Sequence, residues 1–437
     1  RLLLKAMAEA QPALAQGTPS GGVGLLLLLT AHLRARPAAE VAAHRTHALA
    51  LLLTCLSYRE ASAPTAADRA ALAAAGAVAA HRDAYAAELA GTARAVEAAA
   101  GGALLELTIK INDVQLRPLF LHSIRWACAS EGGDEEAGGG DAAAEEEEGR
   151  GAAGDELLAS TLGGAETGAI SGAMGPRRAA SFFRAIAPSQ IRLAELYAPY
   201  FALALPHATA VLGLPSCAPR LAYSRAAAAG SERRKLSDGA AGGGGADEDV
   251  VAGRVALLSA LRFLRTGLSH HAAAPAASPT QLHAVERPLC ALITSPYTAE
   301  ARAGGEELSP AAAVAAAAAA AIRSEALGAV EALVLALGGD GSKRLHHAFC
   351  QAARQAAVET GSELVGDGSA SVAGAMRLGA LHGLGTLYAA LGDGALPHVA
   401  EALPIVPELM EDSEAEVRQA ALKLMQRLEE LGESDFA

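Results

Sequence analysis

The chain has 437 residues, of which 51% are hydrophobic but only 3% aromatic, and 46 are glycine. Its 48 acidic residues outnumber its 35 basic residues, which gives a formal charge of −13. This composition excludes a chain that is disordered over most of its length. It also argues against binding to a phosphate backbone as the main activity, because that affinity comes from clustered lysine and arginine.

The cysteines are widely separated in the sequence. An odd number without any C-x-x-C pair argues against a disulfide framework and against a zinc ribbon. We expect buried free thiols in a protein of a reducing compartment. The five positions are Cys55, Cys128, Cys217, Cys290 and Cys350.

Most of the chain has the pattern of α-helices. Leu257, Leu261 and Leu264 recur at helical spacing, whereas Arg262 and Arg265 fall on the opposite face. The alternation typical of strands is missing, and proline and glycine interrupt the helical runs at short intervals. The sequence therefore predicts an all-α protein of short helices joined by tight loops.

Two glycine-rich segments interrupt this pattern, and we expect both to be disordered insertions, because glycine has high backbone entropy and like charges repel. They divide the chain into blocks. The predicted organisation is N-terminal helical repeats at 1–103, a motif-bearing segment at 104–130, an acidic insertion at 131–176, a helical repeat at 177–225, a second insertion at 226–249 and C-terminal repeats at 250–437.

One segment, from Leu196 to Pro219, carries no charge and exceeds the roughly 20 residues that span a bilayer. Its prolines, among them Pro206, would break a spanning helix repeatedly. We expect two buried helical pieces with a turn between them, and no membrane span.

The C-terminus carries a repeat. Asp412 precedes Val417 by five residues, Asp367 precedes Val372 by the same interval, and the two aspartates are 45 residues apart. That distance lies within the period of roughly 40–47 residues in HEAT and armadillo units. Pro404 is expected to begin the first helix of the last unit. Because such units must stack to bury their apolar faces, the predicted architecture is an α-solenoid of HEAT-like helical repeats.

No constellation of residues for catalysis or cofactor binding stands out. The segment Gly21-Gly22-Val23-Gly24 lacks the lysine and the preceding strand of a phosphate-binding loop, so we expect a connector there. No serine lies in a G-x-S-x-G context. We therefore predict no enzyme activity, no catalytic residue, no cofactor and no small-molecule substrate.

The sequence contains two pairs of adjacent histidines, His270-His271 and His346-His347. Each pair either binds a metal ion or consists of ordinary histidines on the surface or in a groove. Adjacent residues of a helix point about 100° apart, and neither H-x-x-x-H nor H-E-x-x-H is present. We predict no metal ligands in the chain.

The two insertions carry charged motifs with alternative interpretations. The acidic run Glu145 to Glu148 is either a solvated segment or a contact for basic ribosomal or nucleolar proteins. The sequence Arg233-Arg234-Lys235-Leu236-Ser237 resembles a basic-directed kinase site, which makes Ser237 a candidate phosphorylation site.

The segment from Lys110 to Ala127 contains the only tryptophan and is far less rich in alanine than its surroundings. We expect Arg117-Pro118 to begin a helix that buries Leu119, Phe120 and Trp126. Together with the C-terminal block, this segment resembles the C-terminal region of the large HEAT-repeat protein of the small-subunit processome. The residues that carry the resemblance are Lys110, Asp113, Arg117, Pro118, Leu119, Phe120, Trp126, Pro404, Pro407, Glu411, Asp412 and Val417.

The resemblance extends over residues 104–437 and makes 104–130 the start of the family's C-terminal domain. Proteins of this family are U-three snoRNA-associated components of the t-Utp (UtpA) subcomplex. The resemblance implies a non-enzymatic ribonucleoprotein scaffold in the nucleus and nucleolus that supports pre-ribosomal RNA transcription and processing. It implies other t-Utp proteins as partners, with RNA or snoRNP contacts that are indirect or use basic patches such as Arg177-Arg178.

A second class of protein shares the repeat. A HEAT-repeat transport adaptor or phosphatase-type scaffold would have the same periodicity but would lack the Arg117 to Ala127 motif. The alternative function is therefore a scaffold unrelated to ribosome assembly.

Overall fold

The computed structural model describes residues 19–57, 79–129, 174–213, 244–271, 275–295, 310–359 and 369–434. Every regular element within these ranges is a helix, so the predicted all-α class is confirmed. The described chain forms two compact units: unit 1 holds the residues up to Leu193 together with 244–246, and unit 2 holds the others. Asp367, Ser237, the acidic run and Arg233 to Lys235 lie outside the described residues. Residues 244–249, expected at the end of the second insertion, instead form the first turns of a helix.

Unit 1 is built around one long helix. The helices of unit 1 are α1 (Pro19–Ala35), α2 (Ala38–Ala43), α3 (Arg45–Leu56), α4 (Ala79–Lys110), α5 (Asp113–Cys128) and α6 (Pro176–Leu193). The long helix, α4, packs against α1, α3 and α6, and α5 packs against α3 and α6.

The segment 21–24, expected to be a connector, lies within the first turns of α1, since glycine weakens a helix without forbidding it.

The core of unit 1 is rich in leucine and alanine, with the phenylalanines of α5 and α6 among its largest side chains, and a glycine lets two of its helices approach closely. A Cβ atom added to Gly101 on α4 would lie 2.9 Å from Pro188 Cγ and 3.1 Å from the Ala185 carbonyl oxygen on α6. A buried carboxylate joins the same two helices. Glu97 accepts hydrogen bonds from Ser181 Oγ at 3.1 Å and from Arg184 Nη1 at 2.8 Å.

Unit 2 is organised around one central helix. The elements of unit 2 are a 3₁₀ turn (Ala194–Tyr197), α7 (Ala198–Leu212), α8 (Gly244–His271), α9 (Pro279–Ile293), α10 (Pro310–Gly341), α11 (Lys343–Glu359), α12 (Ser369–Leu391), a 3₁₀ turn (Gly392–Ala395), α13 (Leu396–Ala402), α14 (Ile405–Met410) and α15 (Ala415–Ser434). The central helix, α12, packs against α9, α10, α11 and α15. Leu257, Leu261 and Leu264 are fully buried on α8, as their spacing predicts. This succession of packed helices is consistent with a helical-repeat solenoid.

The uncharged segment from Leu196 to Pro219, expected to form two helical pieces with a turn, is described as far as Gly213 and is not broken at Pro206. Helix α7 continues through Pro206, whose missing N–H leaves the Ala202 carbonyl without its helical donor. Gln281 Nε2 of α9 donates to that carbonyl at 3.4 Å, which replaces the lost bond. None of the helices in the described residues is both long enough and apolar enough to cross a membrane.

Two glycines on α12 differ in the space that a side chain would have. A Cβ atom at Gly379 would lie 2.2 Å from the Ile293 carbonyl oxygen of α9, whereas a Cβ at Gly385 would meet no atom within 4 Å. We expect Gly379→Ala to destabilise the protein by about 1–3 kcal/mol through overpacking. The free energy of unfolding, measured by urea titration of the helical circular dichroism, tests this.

Gly385→Ala is the matched control on the same helix. It should stabilise the protein by about 0.5–1 kcal/mol, because alanine restricts the unfolded chain and favours helix. Equal effects of the two substitutions would contradict the close approach of α9 and α12.

Candidate functional site

The motif helix α5 begins earlier than the sequence suggested. It runs from Asp113, and Asn112 caps it: the Asn112 side chain accepts from the Gln115 backbone N–H, and the Gln115 side chain accepts from the Asn112 N–H. The expectation that Arg117-Pro118 begins the helix is therefore wrong, because this capping box satisfies the free N–H groups of the first turn instead. Pro118 lies inside the helix and has no N–H to donate to the carbonyl of Val114, a residue that is 81% exposed.

Lys110 joins the end of α4 to the end of α1. Its Nζ donates to the carbonyl oxygens of Arg36 at 2.6 Å and Arg34 at 3.1 Å. A cation at this position stabilises the free carbonyls and the negative end of the helix dipole of α1. Glu106, one turn earlier on α4, forms an ion pair with the Arg34 side chain at 2.6 Å.

Trp126 connects α5 with two neighbouring elements. Its indole N–H donates to Ser57 Oγ at 3.2 Å, and the Arg178 guanidinium lies over its ring at 5.7 Å from the centroid. Arg178 also donates to the carbonyl oxygens of Trp126 and Ala129. Trp126 is half-buried against the core of unit 1. Trp126 is therefore a packing residue that is buried only in part, although the sequence led us to expect it buried.

The remaining motif residues of α5 separate into a buried and an exposed face. Leu119 and Phe120 are buried, and the Phe120 ring lies 6.0 Å from that of Phe182 on α6. Asp113 and Arg117 are exposed. The motif thus builds the core of unit 1 with one face and presents charged side chains with the other.

The C-terminal motif centres on a buried ion pair in unit 2. Arg377 Nε on α12 lies 2.6 Å from Asp412 Oδ2, and only 3% and 7% of the two side chains are exposed. Asp412 Oδ1 also accepts from the Glu414 backbone N–H at 2.8 Å, and Arg418 Nη1 donates to the Asp412 carbonyl at 2.7 Å. Asp412 therefore fixes the turn before α15 and attaches it to α12.

The other C-terminal motif residues define short elements around that turn. Pro404 immediately precedes α14, Pro407 lies in its first turn, and Glu411 follows its last residue. Val417 on α15 is fully buried. The predicted order of proline-started helix, turn and apolar helix is therefore present.

A polar cluster that the sequence pattern did not predict lies between α11, α12 and α13. His346 Nε2 is 2.8 Å from Tyr388 Oη, and His346 Nδ1 is 3.4 Å from Glu401 Oε2. His347 Nδ1 lies 2.5 Å from Glu401 Oε1. Cys350, one turn after His346, has its Sγ 3.8 Å from His346 Nε2. The only local signal was the H-x-x-x-C spacing, because Glu401 is far away in the sequence.

Burial sets the pKa values of His346 and Cys350 in this cluster, and hydrogen bonds with neighbouring charges set that of Glu401. It lowers the pKa of His346 to about 4 and raises the pKa of the Cys350 thiol to about 12. Burial alone would raise the pKa of Glu401, but the hydrogen bonds and charges of His347 and His346 outweigh it and hold this pKa below its usual value. Near pH 7 the cluster therefore contains a neutral imidazole, a thiol and a carboxylate.

Among the described residues, the pair His270-His271 belongs to no such cluster. His271 is buried, and its Nε2 lies 3.2 Å from the Ala277 carbonyl oxygen. His270 is half-buried on the last turn of the same helix.

Comparison with known proteins gives one finding. Residues 40–148 match the model of the BP28CT (NUC211) domain, a domain found in nucleolar ribosome-biogenesis proteins. The matched residues are about a quarter of the chain, and they include the whole Lys110 to Ala127 motif. Neither the curated proteins nor the solved structures contain a match to the chain.

The buried Arg377–Asp412 pair predicts a large effect of removing one partner. Arg377→Met should destabilise unit 2 by about 3–5 kcal/mol, because the Asp412 carboxylate remains buried without its counter-charge. The double variant with Arg377→Met and Asp412→Asn should lose less free energy of unfolding than the two single variants lose together. Chemical denaturation of wild type, the two single variants and the double variant measures this coupling.

An exposed ion pair supplies the control. Arg262 Nε lies 2.9 Å from Glu325 Oε1, with 60% of the arginine side chain exposed. Arg262→Met should cost less than about 1 kcal/mol. A similar cost for both arginine variants would refute the special role of the buried pair.

The lowered pKa of His346 predicts a pH dependence of stability. Between pH 6.5 and about 4 the unfolded chain binds a proton at this histidine and the folded protein does not. The free energy of unfolding should therefore decrease as the pH falls through this window, by at most about 1.4 kcal/mol per pH unit for this one group.

The measurement compares wild type with His346→Gln and with His382→Gln, an exposed histidine of α12. In metal-free buffer the His346→Gln protein should have the shallower dependence, and His382→Gln should follow wild type. Parallel curves for wild type and His346→Gln would show that His346 is not held neutral by the fold.

Proposed function

We propose that this chain is a non-enzymatic scaffold of the nucleolar small-subunit processome, acting through protein–protein contacts. The observation that carries the proposal is the match of residues 40–148 to a domain of ribosome-biogenesis proteins. The Lys110 to Ala127 part of the motif by which the sequence resembles the large HEAT-repeat protein of the processome lies within the matched residues, and the C-terminal part lies outside them. The t-Utp (UtpA) proteins are the partners that this resemblance implies.

The geometry of the motif supports a scaffold. Lys110 caps α1, Phe120 packs on α6, and Trp126 bonds to Ser57, so these side chains hold the helices of unit 1 together. The neighbouring apolar residues Ile109 and Val114 are 52% and 81% exposed. We propose that these two side chains lie at the apolar centre of a protein contact, with the charged residues of α5 at its rim.

The charges favour protein over RNA as the primary contact. The chain carries a net charge of −13, whereas RNA binding needs a basic surface. Arg178, half of the basic pair at 177–178, already bonds to two backbone carbonyls and covers Trp126. We propose that any association with pre-ribosomal RNA is mainly indirect, through bound processome proteins.

Affinity purification of the tagged full chain from nuclear extract separates this proposal from the transport or phosphatase alternative. Recovery of processome proteins together with small-subunit precursor RNA is the expected result. Recovery of nuclear-transport factors or a phosphatase, without pre-ribosomal proteins, would contradict it.

Depletion provides the functional test. Loss of the chain should reduce maturation of the small-subunit RNA, and re-expression of the full chain should restore it. Maturation of the large-subunit RNA is the internal control. When both are normalised to the amount of primary transcript, it should decrease less than maturation of the small-subunit RNA. Unchanged small-subunit production after depletion would refute the proposal.

A further inference from the structure

Three potential metal ligands converge in unit 2 from two helices. His346 and Cys350 lie one turn apart on α11, and Glu401 lies on α13. One donor atom from each side chain lies within 4.8 Å of the donor atoms of the other two. Residues four apart on a helix share a face, so α11 alone presents a nitrogen and a sulfur to the same space.

The separations suit a small tetrahedral ion. Zinc bonds of about 2.0–2.3 Å to nitrogen, oxygen and sulfur place neighbouring ligand atoms about 3.4–3.6 Å apart. His346 Nδ1 lies 3.4 Å from Glu401 Oε2 and 3.9 Å from Cys350 Sγ. The first distance already fits. The sulfur lies almost equally far from His346 Nε2, at 3.8 Å, so the Cys350 side chain must rotate to bring it to an ion bound at Nδ1.

Groups around the cluster hold its donor atoms in place. Tyr388 Oη lies 2.8 Å from His346 Nε2, which leaves Nδ1 free to face Glu401 and Cys350 when Nε2 carries the proton. The His398 ring stacks on His346 at 5.3 Å, and His398 Nε2 is fixed 2.9 Å from the Gly339 carbonyl oxygen. Such outer contacts orient metal-binding histidines in proteins.

Glu401 has two oxygens with separate partners. Its Oε1 is bonded to His347 Nδ1, so its Oε2 remains directed at His346. The Glu401 side chain is 29% exposed and that of His346 is fully buried. Cys350 is fully buried as well, so Glu401 is the one of the three side chains that contacts solvent.

We propose that His346 Nδ1, Cys350 Sγ and Glu401 Oε2 bind one zinc ion, with water in the fourth position. This mixed set of nitrogen, sulfur and oxygen suits zinc rather than calcium or magnesium, which prefer oxygen alone. Binding transfers the Cys350 thiol proton to solvent, so that the ion binds thiolate, imidazole and carboxylate. The ion ties α11 to α13 and stabilises unit 2.

The test uses the full chain, purified without a polyhistidine tag, stripped with a chelator and titrated with zinc or cobalt. We expect one zinc per chain by elemental analysis. With cobalt we expect a thiolate-to-metal charge-transfer band in the near ultraviolet, together with the visible bands of a tetrahedral ion. Zinc should also raise the melting temperature.

Cys350→Ser and Glu401→Gln are the decisive variants, and Cys290→Ser is the matched control. Cys290 is a second buried free cysteine of unit 2, on α9 and outside the cluster. Cys350→Ser should abolish the charge-transfer band and weaken zinc binding by at least about 100-fold, and Glu401→Gln should weaken it while keeping the band. Cys290→Ser should bind like wild type.

Three results would overturn the proposal. One is wild-type protein that binds no zinc although its circular dichroism shows the folded helices. Another is cobalt binding without a thiolate band. The third is equal zinc affinity of wild type and Cys350→Ser, which would indicate adventitious binding to other histidines. Because none of these readouts depends on ribosome assembly, the site and the proposed function can fail independently.

Discussion

Close approach of helices at small residues is the constraint on which both units depend. With 3% aromatic residues, the chain has few large side chains with which to fill gaps between helices. It fills the space by bringing backbones together, as Gly101 does against Pro188 in unit 1 and Gly379 against Ile293 in unit 2. Dispersion contacts between closely packed backbones then replace the contacts that large side chains provide.

Surfaces made of alanine and glycine fit one another in several registers, so something else must select one. In this chain the selecting groups are polar. Glu97 joins α4 to α6 and Asp412 joins the turn before α15 to α12, both from buried positions, and the partly exposed Glu401 joins α13 to α11. Each loses its partner if the helices slide, and a buried charge without a partner is costly. We infer that these pairs fix the register of the alanine-rich helices.

The sequence predicts the helices better than it predicts their ends and their contacts. The leucine spacing on α8 identified the buried face because solvent exposure follows helical periodicity. The prolines misled at Pro118 and Pro206, since a helix tolerates proline where the freed carbonyl finds water or another donor such as Gln281. The cluster of His346, Cys350 and Glu401 depends on the packing of α13 against α11, which no local pattern encodes. The Arg377 partner of Asp412 was missed for the same reason.

In the proposed function, the segment that matches the BP28CT domain carries the scaffold role. Its motif residues pack the helices of unit 1 together, and we propose that its exposed positions contact the partner. The most direct test places a photo-crosslinking amino acid at Val114, which is 81% exposed within the matched residues, in the full chain expressed in cells. Leu422 on α15, 46% exposed, is the control position. The account predicts adducts from position 114 with a processome protein, identified by mass spectrometry. Adducts with transport factors or a phosphatase subunit, or no adducts from position 114, would contradict it.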